Sequence, residues 1–256
     1  MNGVGALLAI EAVVDDAAVA PRLEGLLPIG VRPRQLSVRT LLVGIMLALS
    51  DGRPAHLTRV HAALRALGEE EQRRLGVVLA WKCGPHLLTY RQVERTFGLF
   101  VDALSKEYPD GMPTEQLQDF VDALVEASVS AEYKEATTAL AVDWTDVESF
   151  ARPPIPDKSD APDTDAGGAK AEDGRPSADP EASWGHRRGD GPGQKDELFY
   201  GNFLQLGTMV REEAGPRVPE LVRRLLLTSC HVDPPPAFVG VLENMVPSGV
   251  ARRRAH

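Results

Sequence analysis

Cysteine is scarce in this chain. Among its 256 residues only Cys83 and Cys230 carry thiols, and they stand far apart with no partners at metal-ligand spacing. A disulfide framework and a structural zinc site are thereby excluded, and the expected setting is a reduced, cytoplasmic one. Aromatic residues make up only 5%. Trp81, Trp144 and Trp184 read as core or loop anchors rather than as platforms for stacked bases. A long apolar run is missing as well: the longest, Leu41 to Leu49, falls well short of the roughly 20 residues a membrane helix needs. The opening Met1-Asn-Gly-Val-Gly has no basic region and Glu11 interrupts the apolar stretch behind it, so no signal peptide is expected. Net positive charge is also absent. At −9, the molecule cannot offer nucleic acid a basic field over its whole surface.

The length suits one large domain or two small ones, with apolar and charged fractions ordinary for a folded protein. Basic residues are nevertheless concentrated locally. Between Val31 and Arg65 stand Arg32, Arg34, Arg39, Arg53, Arg59 and Arg65, against Asp51 alone. Such a stretch suits either a DNA-facing surface or a solvated helix face. The first 130 residues read as helical. Ser37 is placed to cap a helix through Leu41, Leu42, Ile45, Met46 and Leu49, which Asp51-Gly52 ends. A second helix follows from about Pro54 to Leu67, and Glu69 to Leu79 gives a third, interrupted at Gly76. Thr89-Tyr-Arg-Gln92 has capping-box spacing ahead of Val93, Phe97, Phe100, Val101 and Leu104. Thr114 can cap a further helix, with Leu117, Phe120, Val121 and Leu124 on its buried face. Two such capped helices around a Gly-containing turn suit either a helix-turn-helix or a plain packing unit.

The second half centres on Thr138-Ala-Leu-Ala-Val-Asp143-Trp-Thr-Asp-Val-Glu-Ser-Phe150. It reads as a strand with a buried apolar start, closed by Pro153-Pro154. A carboxylate part-way along a buried strand is costly unless a cation meets it, and hard divalent ions take carboxylate oxygens. The other reading places Asp143 at a strand end, capping a turn. Residues 153–178 are rich in Pro, Gly, Ala and Asp and lack the spacing of a calcium loop, so they read as a flexible acidic tract. A second loop covers 186–193. Leu198 to Val210 reads as a strand, with Gly201 marking a bulge or a close backbone approach. Glu212 to Pro216 is a turn. Val218 to Val232 has the periodicity of either helix or strand, with a β-rich finish. Asp233-Pro-Pro-Pro-Ala then opens a helix carrying Phe238, Val241, Leu242 and Met245. Cys230 and His231 would point to opposite faces of a strand, which excludes a nucleophile–base pair.

Three antiparallel strands with a carboxylate on the first, followed by a helix, are how an RNase H-like fold begins. A fourth strand there lies beside the first and presents a second carboxylate, and two carboxylates together hold a pair of Mg²⁺ ions for in-line phosphoryl transfer. In the order and spacing of Leu36-Ser-Val-Arg-Thr-Leu-Leu-Val-Gly44, Asp51-Gly-Arg-Pro-Ala-His-Leu-Thr58, Ala139-Leu-Ala-Val-Asp143-Trp-Thr-Asp-Val147, Asp179-Pro-Glu-Ala-Ser-Trp-Gly185, Tyr200-Gly201 and Leu227-Thr-Ser-Cys-His-Val-Asp233-Pro, the chain resembles the DDE transposases of bacterial insertion sequences over most of its length. The resemblance implies an α+β chain with an RNase H-like core and DNA, the transposon ends, as partner. It implies Mg²⁺ or Mn²⁺ as cofactor, and Asp143 as the first catalytic Asp and a metal ligand. Asp233 falls where the family often has a non-catalytic Asp, which an N-cap explains.

The family's second catalytic Asp, usually in an Asp-x-Gly-Tyr setting, ends a strand after that helix, and a Glu follows on a later helix. Here the residues after Gly249 are Val-Ala-Arg-Arg-Arg-Ala-His256. The expectation is therefore an N-terminal transposase fragment, truncated before the second Asp and inactive alone. It would bind DNA weakly through its Arg-rich helices, hold no metal tightly, and leave a sheet edge open to self-association. Its parts would be a helical domain over 1–130, the first core strand region over 131–151, a flexible loop over 152–196, and the rest of the core over 197–256. The alternative is a non-enzymatic helical module that binds DNA or another protein.

Overall fold

A computed structural model describes residues 3–28, 34–52, 54–79, 86–154, 177, 179–187 and 197–243. The acidic tract expected over 153–178 lies almost wholly outside the described residues, as do Trp81, Cys83, the loop after Arg187 and everything after Glu243. No described helix is long and apolar enough to cross a membrane. Helices and one main antiparallel sheet make the chain α+β, and it divides into two compact units, Met1–Glu107 with Glu115–Ala136, and Tyr108–Thr114 with Thr137–His256.

In the first unit, α1 (Gly3–Asp16), α2 (Val19–Leu26), α3 (Val38–Ser50), α4 (Leu57–Arg65) and α5 (Glu69–Arg74) precede a small antiparallel ribbon, β1 (Val78–Leu79) with β2 (His86–Leu87). The helices α6 (Tyr90–Leu104), α7 (Glu115–Ser128) and α8 (Ala131–Lys134) follow. Ser37 caps α3, its Oγ accepting from Thr40 N at 3.1 Å. The capping box at α6 is formed, with Gln92 Oε1 accepting from Thr89 N at 2.7 Å. Leu41, Val43, Val60, Leu64 and Val93 close the core between α3, α4 and α6. Buried Glu11 receives Arg39 at 3.1 Å and Arg74 at 2.6 Å.

The third helix is shorter than the sequence suggests. Val77 N donates to Gln72 O and Gly76 N to Arg73 O, while Gly76 takes φ +68°. This paired arrangement closes a helix on a left-handed residue, a conformation glycine adopts without strain, and it releases Val77 into β1. The helices α6 and α7 do not form a helix-turn-helix, because residues 105–114 separate them and 108–114 pack in the other unit. Such a motif joins its helices by three or four residues. The short link is between α4 and α5, over 66–68.

The second unit is built on β3 (Leu140–Glu148), β4 (Ser183–Arg187), β5 (Glu197–Met209) and β6 (Val222–Ser229), with α9 (Pro234–Glu243) behind. All pairings are antiparallel. The strand β3 lines one edge of β5, and β4 and β6 lie along the other. Two expectations change here. Residues 152–196 are not one continuous loop, since Ser183–Arg187 pair with Glu197–Gly201. The ambiguous segment before α9 is a strand over Val222–Ser229, because Leu204, Leu206 and their neighbours on β5 supply it with a hydrogen-bonding edge.

Opposed residues share a face, so the register sorts the side chains. Val142, Trp144, Asp146 and Glu148 share a face with Phe199, Phe203, Gln205 and Met209, while Asp143, Thr145 and Val147 lie on the other with Leu206, Leu204 and Asn202. The helix α9 covers the first face, where a Cβ on Gly207 would lie 3.2 Å from Phe238. A tight clip completes this unit. Tyr108 donates its hydroxyl to Leu227 O at 2.6 Å, and His231 Nε2 meets Asp110 O at 3.0 Å. Gly111, at φ +73°, has no room for a side chain, since its Cβ would fall 2.5 Å from Ser229 Cβ.

Two stability changes follow. Glu11→Ala leaves two guanidinium groups without their shared carboxylate and is expected to cost about 1–3 kcal/mol in chemical denaturation, part of the charge being solvent-screened. Gly111→Ala combines a left-handed φ with a backbone-proximal clash and is expected to cost about 2 kcal/mol, with enhanced proteolysis at 108–114 as a second readout.

Candidate functional site

Asp143 lies within β3, opposite Leu206, and not at a strand end. Its surroundings differ from those expected. The strand's apolar start is not buried: Val142 is 45% exposed and Trp144 51%. The tryptophans expected as core or loop anchors include two exposed ones, Trp144 and Trp184, both on strands. The physical reason is position, because β3 is an edge strand and α9 packs on β5 and β6. An exposed carboxylate carries no burial cost, so it needs no cation to balance it. Asp143 Oδ1 instead accepts from the backbone N–H of Trp144 at 2.8 Å.

The nearby carboxylates lie on the opposite face. Arg187, on β4, reaches across β5 to Asp146 and Glu148 on β3, the second contact at 2.8 Å, and sits 3.5 Å from Glu197. Its guanidinium lies over the Phe199 ring, 5.5 Å from the centroid. The Arg187 hydrogen bond holds the Asp146 carboxyl below the usual carboxylate range, and the same partnership pushes Arg187 up. One cation thus ties both outer strands across the central one. This group was not foreseen from the sequence. Its available signal was Asp146 and Glu148 at i and i+2, two acids that a strand must put on one face and that call for a shared counter-charge.

No second carboxylate of the sheet shares the face of Asp143 among the described residues. Among the described residues no group of three His, Cys, Asp or Glu side chains gathers so as to hold a metal ion. The donor set does not fit a pair of divalent cations: Asp146 and Glu148 point to the other face and are engaged by Arg187.

The thiol at Cys230 is not a nucleophile. It lies in the turn after β6 rather than on a strand, donates to Gly201 O at 3.3 Å, and is pushed up to about 11, chiefly by burial and then by the Asp146 charge. It stays protonated at neutral pH. A shallow cleft lined by Tyr108, Asp110, Glu181, Ser183 and His231 adjoins this turn. Its serine and histidine are committed to structure, Ser183 bridging Ser229 Oγ and His231 N.

The basic stretch in the first unit is partly consumed internally. Arg34 pairs with Glu24, and Arg39 with Asp15 and Glu11. Arg59 and Arg65 on α4 form no ion pair among the described residues, while Arg32 and Arg53 lie outside them. The chain matches no protein-family model, no curated protein and no solved structure.

The Asp146–Arg187 bond sets an acid limit. Because the folded-state pKa of Asp146 is depressed, its stabilising contribution is complete above pH about 4. It is lost as pH falls through the depressed value. Asp146→Asn is expected to lower the melting temperature at pH 7 and to flatten its decline between pH 4 and 2, as followed by circular dichroism.

Proposed function

We propose that this chain is the helical domain and the opening part of the catalytic core of a DDE transposase, whose family role is DNA transposition by metal-dependent strand transfer. The observation carrying this reading is the succession of β3, β5 and β6 as neighbouring antiparallel strands, with Asp143 on the first and α9 after the third. That is the order in which an RNase H-like core opens. The strand β4 is additional to it, and pairs with β5 without interrupting the succession. The residues of the resemblance fall on these elements: Asp143 on β3, Asp179–Gly185 leading into β4, Tyr200-Gly201 on β5, and Leu227–Asp233 running from β6 to the start of α9.

Strand transfer by two metal ions needs carboxylates that converge, and the described residues bring only Asp143 to its face. They are not expected to catalyse transfer alone. The property left to them is DNA contact. Helix α4, the link over 66–68, helix α5 and the ribbon follow one another closely, as in domains that set a helix in the major groove. The first turn of α5 is Glu69-Glu70-Glu71, which repels phosphate, so the phosphate-facing charge is assigned to Arg59 and Arg65 of α4. The rival reading, a non-enzymatic helical module for DNA or protein, gains from the isolation of Asp143.

A mobility-shift series with linear duplex DNA between about 50 and 200 mM salt tests the DNA assignment. Affinity is expected to fall linearly on logarithmic axes, with Arg59→Ala and Arg65→Ala each reducing the slope by about 1. No shift at the lowest salt rejects DNA binding.

A further inference from the structure

Among the described residues, the outer edge of β3 is open along its length. Val210 N donates to Ala139 O and Ser149 N to Tyr200 O, and the register between these two bonds is unbroken. Odd-numbered residues of β3 therefore bond to β5, and Leu140, Val142, Trp144, Asp146 and Glu148 aim their backbone N–H and C=O groups outward. No described strand pairs with them. The same stretch exposes Val142, Trp144 and Val147. An open edge that is also apolar is a template for another strand.

We propose that the occupant is a second copy of this chain, its β3 antiparallel to the first about a two-fold axis at Trp144. Pairing the whole of Leu140–Glu148 with itself fixes that centre. The register sets Trp144 against Trp144 of the second copy, Ala141 against Val147, Asp143 against Thr145, Val142 against Asp146, and Leu140 against Glu148. No carboxylate directly opposes another, although every charged residue of the strand is acidic. Centring on Asp143 or on Asp146 instead would set like charges face to face, which is destabilising. The Asp146 and Glu148 charges are already met by Arg187 within each copy.

Asp143 governs this edge. Its carboxylate occupies the outward N–H of Trp144, the donor that the dimer needs at its axis. Pairing requires that N–H to exchange Asp143 for the carbonyl of the second Trp144. The released carboxylates of the two copies then stand diagonally across the axis and repel weakly. Salt screens that repulsion, so dimerisation should strengthen with salt, opposite in sign to phosphate binding. The inference rests on the edge geometry and not on the transposase reading, under which a further core strand would take the same edge.

Sedimentation equilibrium on the full chain from about 1 to 100 µM, at about 0.05 and 0.5 M NaCl, tests it. A reversible monomer–dimer equilibrium, tighter at high salt, is expected. Trp144→Glu and Trp144→Lys should each raise the dissociation constant at least about tenfold by opposing like charges at the axis, and an equimolar mixture should restore the dimer. Restoration also shows that both variants fold. Asp143→Ala should tighten the dimer several-fold and remove its salt dependence. A monomer at every concentration, a dimer indifferent to Trp144→Glu, or a Trp144→Lys chain that dimerises more tightly alone would each overturn the proposal.

Discussion

The sheet depends on one strand being longer than its neighbours. With thirteen residues, β5 offers two full edges, and nine-residue β3 covers most of one. The other edge is shared by two short strands, five-residue β4 and eight-residue β6, which meet beside the Gly201–Asn202 step. Such a junction is a weak point, because neither short strand continues the other. The contacts around it are correspondingly polar and specific. The Ser183 and Ser229 hydroxyls lie 2.7 Å apart, His231 N donates to Ser183, and Cys230 donates to Gly201 O. The 108–111 clip closes over the same place, reaching Leu227 O and His231. Removing β5 would leave β3, β4 and β6 without a backbone partner among the described strands, since each pairs only with it.

The two faces of the sheet are packed differently, and this decides the chemistry. On the α9 face, Phe238 sits against Gly207, Phe199 stacks edge-on with Phe203 at 5.8 Å, and buried Gln205 donates to Thr228 at 3.3 Å. Arg187 is held over that apolar surface, its guanidinium satisfied by carboxylates from two strands. A polar group placed over packed aromatics and bonded on several sides is fixed in orientation, which is why the Asp146 carboxyl is depressed while Asp143, out in solvent, shows no comparable partner. The opposite face bears Asp143 and the half-buried Leu204, Leu206 and Leu225.

Local signals were legible where local chemistry decides the outcome. Ser37 before an apolar helical run and Thr89 three residues ahead of Gln92 are caps wherever they occur, and both are formed. Gly201 marked a bulge or a close backbone approach, and it is the second, since a Cβ there would collide with the Val147 carbonyl. The failures come from interactions distant in sequence. Ser183–Arg187 holds a glycine and three polar residues and looks like loop, yet it is a strand because β5 supplies its partner. Nothing in Tyr108–Thr114 announces that it packs with residues more than a hundred positions later. Val142 and Trp144 read as core by composition, but edge position and the reach of α9, neither of them local properties, leave them exposed. For the candidate site, the strand was readable and the place of Asp143 was left between mid-strand and strand end, whereas the Asp146–Glu148–Arg187 group was not readable, since its cation lies on another strand.

Spacing inside β3 explains why the two aspartates of Val142-Asp-Trp-Thr-Asp-Val147 cannot act together. In a helix, residues three apart share a face; in a strand they oppose. Once this segment becomes β3, Asp143 and Asp146 are separated by the sheet itself, and no side-chain rotation brings them to one ion. Arg187 then settles Asp146 into a structural role, leaving Asp143 as the sole acid of β3 on its face. Whatever pairs with the open edge must first compete with Asp143 for the Trp144 N–H. The same hydrogen bond thus limits both the edge's capacity to pair and the freedom of the one β3 carboxylate on that face.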